Sequence, residues 1–80
     1  MLELDRALYK SRARRRLPSP EQRRALRERA GITQADVAKA LGVHRITVTR
    51  WETGQRVPGN KKIEAYVRLL DRLAAEVMTG

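Results

Sequence analysis

Apolar positions recur three and four residues apart in several stretches of this chain. The clearest is KKIEAYVRLLDRLAAEV, where Ile63, Tyr66, Leu70, Leu73 and Val77 predict a long amphipathic helix. That stripe can pack back on its own domain or pair with a second copy, and two heptads do not choose between them. In LPSPEQRRALRERAG, Ser19 stands as an N-cap, Pro20 at the first helical position, Gln22 at the capping-box position and Gly31 at the stop. In ITQADVAKALG, Thr33 and Asp36 form a second capping box, Ile32 and Val37 a hydrophobic staple, and Gly42 a left-handed terminator. PGN at 58–60 marks a turn, with Asn60 as the expected cap of the long helix. At the other end Leu4 and Leu8 predict a short first helix, and the basic run from Lys10 to Arg16 a mobile arm.

One segment reads two ways. Ile46-Thr47-Val48-Thr49 alternates apolar with hydroxyl, which is a strand signal. A strand here has no partner, because no second strand-like run exists to pair its edges. Wound as a helix, the segment places Val48 and Trp51 on one face with Glu52 beside them. Ile46, Thr49, Arg50 and Thr53 take the opposite face and Arg45 its margin. The β-branched residues cost roughly 1 to 2 kcal/mol of helix propensity. Burying one such side chain against Val37, Ala38 and Leu41 recovers about as much, so a helix is expected.

Composition then limits what these helices are for. Eighty residues predict one small domain, divided here into an N-terminal helix and basic arm (1–18) and a helical domain with the long last helix (19–80). A net charge of +9, with 18 Lys+Arg against 9 Asp+Glu, favours a polyanionic partner, nucleic acid before an anionic membrane. The chain has no cysteine and one histidine, so no metal site or other cofactor site is expected. Ser11 and Ser19 have no histidine partner and no carboxylates converge, so no catalytic residue is assigned and the chain does not read as an enzyme. No apolar run reaches membrane-spanning length and MLELD is unlike a signal peptide, which predicts a cytoplasmic protein without membrane attachment. Few aromatics are left for base stacking, which disfavours RNA.

The stretch TQADVAKALGVHRITVTRWETG, residues 33–54, resembles the helix-turn-helix of the phage repressor and Cro-like family, also called the xenobiotic-response-element family. Gln34 opens one helix, Ala38 is the small crossing residue, Gly42 makes the turn, Val48 and Trp51 lock the next helix, and RWETG matches the usual ending. The resemblance extends over residues 19–77. It implies an all-α, lambda-repressor-like bundle of four or five helices that places one helix in the DNA major groove. It also implies binding as a homodimer to a palindromic operator with half-sites about 34–36 Å apart.

Carried onto this sequence, the resemblance makes Arg45, Ile46, Thr47, Thr49 and Arg50 the base-reading set and Gln34 a phosphate ligand that supports it. Arginine fits guanine O6 and N7, and Arg45 is the first choice for that contact; Arg50 either reads a base or grips a phosphate. Ile46 either meets a thymine methyl or packs on the adjacent helix. Thr33, His44, Lys39, Thr53, Arg56 and Asn60 are expected at phosphates, and Arg12, Arg14, Arg15 and Arg16 in a minor-groove arm. His44 stands where relatives carry Ser or Thr as cap, and is a poorer one. The function expected is a sequence-specific regulator of transcription, a repressor of phage or mobile-element type acting by occupancy. The alternative is an antitoxin-like module that binds a protein partner through its last helix and autoregulates its operon.

Overall fold

The computed structural model describes residues 2–79, and these contain five α-helices and no strand. They are α1 (Leu2–Arg16), α2 (Pro20–Arg29), α3 (Gln34–Leu41), α4 (Arg45–Thr53) and α5 (Ile63–Thr79). α4 packs on α2 and α3, while α5 packs on α1 and α2.

The local signals act as expected. Ser19 Oγ accepts from the Gln22 N–H (3.2 Å) and Gln22 Oε1 accepts from the Ser19 N–H (3.0 Å). Thr33 Oγ1 and Asp36 Oδ2 make the same reciprocal pair at 3.0 and 2.9 Å. Two orphan amides are satisfied at each helix start, and the Asp36 carboxyl is held below its ordinary range, chiefly by the Thr33 backbone N–H. Gly42 ends α3 at φ 67°, a conformation that a Cβ would strain. Its left-handed turn is what aims the chain away from α3 and into α4.

The core forms where the apolar stripes meet. Val37, Ala38 and Leu41 of α3, Val48 and Trp51 of α4, and Tyr66 and Leu70 of α5 are buried together. Val48 is fully buried and Trp51 only 3% exposed, so the ambiguous segment is a helix and its packing outweighs its β-branched propensity. The Trp51 and Tyr66 rings lie tilted with centroids 4.8 Å apart, which ties α4 to α5. Burial pushes the Tyr66 phenol up to about 12, so it stays neutral throughout the physiological range. A second cluster joins Ala13 of α1 to Ile63 and Val67 of α5. In α5 the buried set is Ile63, Tyr66, Val67, Leu70 and Leu73, whereas Val77, expected in the stripe, is half-buried.

Two expectations need correction. Residues 10–16 are the second half of α1 and not a mobile arm. Ala13 is buried against α5, Arg14 donates to the Pro58 carbonyl (3.2 Å) and to Asn60 Oδ1, and Arg16 pairs with Asp71. A helix about 10–12 Å across does not itself fit a minor groove about 6 Å wide, so Arg12, Arg14, Arg15 and Arg16 are carried on a packed helix and not on an extended arm. Asn60 does not cap α5. The Gly59 carbonyl accepts from both the Lys62 and Ile63 N–H groups (3.0 and 2.9 Å), and the Asn60 side chain is turned to Arg14 instead.

Candidate nucleic-acid interface

α3 and α4 are joined by a short turn at Gly42, Val43 and His44, and α4 presents its outer face to solvent. Arg45, Ile46 and Arg50 are exposed on that face, Ile46 at 52%, with Thr53 exposed at the end of the helix. Ile46 therefore makes little of its alternative contact with the adjacent helix. Thr47 and Thr49 are half-buried at its edges.

A polar chain holds this helix from behind. Arg27 of α2 donates from Nε and Nη2 to Glu52 of α4 at 2.6 and 2.9 Å, a bidentate buried ion pair. Arg27 Nη1 also donates to the Ile32 carbonyl before α3 (2.9 Å). Gln34 Nε2 donates to Glu52 Oε1 (3.0 Å), and Thr49 Oγ1 donates to Gln34 Oε1 (2.8 Å). Three helices are thus connected in the order Arg27, Glu52, Gln34, Thr49, and the chain ends at the exposed face of α4. Burial by itself would raise the Glu52 carboxyl. The hydrogen bonds from Arg27 and Gln34 outweigh it and hold the carboxyl below its ordinary range. The same pair raises the Arg27 guanidinium, first through its bond to Glu52.

Two more cations close the ends of these helices. Arg23 Nη2 donates to the Trp51 carbonyl in the last turn of α4 (2.8 Å), Nη1 donates to Pro18 (2.9 Å), and its guanidinium carbon lies 5.7 Å from the Tyr66 ring centre. Lys62 Nζ donates to the Leu41 carbonyl at the end of α3 (2.7 Å). Both place positive charge at a helix C-terminus, where carbonyls lack intrahelical partners. Sequence reading assigned no role to Arg23, Arg27 or Lys62. A signal existed for two of them, since Arg23, Leu26, Arg27 and Ala30 share the inner face of α2.

The arrangement matches a known one. A family model for a helix-turn-helix domain fits residues 21–78, most of the chain. This protein belongs to that family, of the phage-repressor and Cro-like type. No curated protein and no solved structure gives a significant match. The helix-turn-helix is accordingly α3, the Gly42 turn and α4, and the domain is a DNA-binding one.

Of the expected phosphate ligands, Thr33 and Gln34 line a cleft on one side of α4 together with Arg24 and Arg45. Arg56 lines a cleft on the other side, with Thr47, Arg50 and Lys62. Lys39, His44 and Thr53 are exposed but line neither cleft, and Asn60 lies in a separate groove beside α1. The Thr33 hydroxyl already serves its cap, while Thr53 Oγ1 donates to the Arg50 carbonyl (3.3 Å).

His44 occupies the N-cap of α4 with extended backbone, φ −77° and ψ 149°, and its side chain makes no capping bond. His44→Ser supplies the missing acceptor and is expected to stabilise the fold by about 0.5–1 kcal/mol. A rise of a few degrees in Tm by circular dichroism checks this, and an unchanged Tm contradicts it.

Proposed function

We propose that this helix-turn-helix protein is a sequence-specific repressor of transcription that lays α4 in the major groove of duplex DNA. The observation that carries the proposal is the exposed set Arg45, Ile46 and Arg50 on a helix whose opposite face is locked by Val48, Trp51 and Glu52. Arg45 reads a guanine through its bidentate fork, Ile46 meets a thymine methyl, and Arg50 reads the next position or grips the strand. Thr47 borders this set. Thr49, with its hydroxyl engaged by Gln34, orients the helix and remains at the edge of base contact. The two clefts beside α4 supply phosphate contacts, one at the N-terminus of α3 near Arg24 and one at Arg56. Repression follows from occupancy of an operator, and a homodimer on two half-sites doubles the contact.

Selection from random duplexes at physiological salt tests this with wild type and Arg45→Ala in parallel. The expected result is a palindrome with half-site centres about 34–36 Å apart. Arg45→Ala should relax one position in each half, a loss of about 1–3 kcal/mol in discrimination. If no motif emerges and binding simply fades with salt, charge alone was acting and the proposal is wrong.

A further inference from the structure

α1 lies outside the residues that match the family, so its purpose is not set by the helix-turn-helix itself. It is attached to α5 through Ala13, and one flank beside that contact is cationic. Arg6, Lys10 and Arg14 recur every four residues, which aligns them along one side of the helix. Arg14 is joined to the loop before α5 through the Pro58 carbonyl and Asn60. Arg6 and Lys10 line a groove with Asn60 and Lys61 of that loop and Arg68 of α5, in which four cations outnumber the acids Asp5 and Glu64. The other side of the same loop, at Gly59 and Lys62, borders the cleft that holds Arg50 and Arg56. Positive charge therefore continues from the outer face of α4, across the loop at 56–62, and onto α1.

We infer that Arg6, Lys10 and Arg14 form a ridge that follows the phosphodiester backbone of the DNA flanking the operator. This rests on the proposal that α4 reads duplex DNA. Successive cations on the ridge are about 6 Å apart along the helix axis. Neighbouring phosphates of one strand are further apart than their rise of about 3.4 Å along the axis, because the strand also winds around it, so cations at this spacing can meet successive phosphates. Contacts of this kind add affinity and salt dependence without reading bases. The ridge differs from the expected arm in its form, a packed helix, and in its residues, since Arg12 and Arg16 face the other side of Ala13 and Arg15 points away from α5.

The test compares Arg6→Gln/Lys10→Gln with Arg12→Gln/Arg15→Gln, which removes equal charge from other faces of α1. Arg14 is kept because it also secures the loop. Each is measured over a salt series on the selected operator, with and without about ten base pairs of flank, roughly one helical turn, on each side. The ridge variant removes two contacts from each protomer of the dimer, so it is expected to lose the affinity gained from the flanks and to flatten the slope of log K against log salt by about 3.6, or 0.9 for each phosphate contact. The control pair is expected to change it by much less, and neither should alter the selected sequence. Equal slopes for wild type and the ridge variant overturn the inference, as does an equal flattening in both variants, which is an effect of net charge alone. Arg45→Ala, run alongside, separates the two levels. If it relaxes the selected motif while the ridge variant behaves as wild type, only the ridge is wrong; if no motif exists to relax, the reading of α4 is wrong.

Discussion

Replacing Glu52 by alanine is expected to destabilise the domain by about 3–5 kcal/mol, the range for removing one member of a buried ion pair. The loss comes less from the bonds removed than from what remains. Arg27 keeps its charge in a site where its side chain is only 11% exposed, with no carboxylate to receive Nε and Nη2. Gln34 loses an acceptor at the same time. Natural domains are stable by roughly 0.05–0.15 kcal/mol per residue, so this single change consumes a large part of the total. Urea denaturation of Glu52→Ala, and of the paired variant Arg27→Met/Glu52→Leu, checks the account. The pair should lie much closer to wild type, because no buried charge is left unmatched. If the paired variant is as unstable as the single one, the ion pair contributes net stability of its own and the explanation by stranded charge fails.

The same carboxylate sets a pH dependence. Its folded pKa is lowered, so its stabilisation is fully present above the ordinary glutamate value of about 4.3 and is lost as pH falls through the lower folded value. Asp36 in the α3 capping box acts in the same direction. Acid should therefore loosen the α2, α3 and α4 connections while the neutral range leaves them intact. Because Gln34 and Thr49 stand at the end of this chain, orientation of α4 should weaken with it.

Trp51→Ala carries the other large expected effect, a loss of about 3–5 kcal/mol for truncating a large buried aromatic. Trp51 fills the space between α4 and α5, with the Tyr66 ring 4.8 Å away centre to centre and Val48 buried beside it. The cavity left in so small a core has few neighbours able to collapse into it. Weak or absent cooperative melting by far-UV circular dichroism is the expected outcome. Trp51→Phe, which keeps an aromatic contact with Tyr66, should melt cooperatively at a reduced Tm. Since Trp51 is the sole tryptophan, wild-type fluorescence reports directly on the docking of α4. A Trp51→Ala protein with wild-type Tm would show that α4 is held by its polar chain alone.

The features legible beforehand share a short range. Ser19 with Gln22, and Thr33 with Asp36, act over three residues, and Gly42 acts on its own backbone, so the residues themselves specify those caps and that turn. The spacing of Val48 and Trp51 likewise showed which side of α4 would be buried, once the lack of a partner strand had excluded a sheet. The outward placement of Arg45, Ile46 and Arg50 followed from the same periodicity.

What the sequence by itself determined is therefore the order of the helices, the caps of α2 and α3, the turn between α3 and α4, and the apolar seam that joins them. Tertiary structure decided the partners of the charges. Arg27 meets Glu52 across 25 residues, Arg23 reaches the Trp51 carbonyl across 28, and Arg14 reaches Pro58 across 44. No local pattern separates these arginines from the solvated ones, because a guanidinium chooses between water and a distant acceptor only when packing brings that acceptor within reach and removes the water. The fate of the basic run at 10–16 was decided in the same way. By composition it reads as a solvated arm, and it is ordered as a helix because Ala13 finds Ile63 and Val67 on α5.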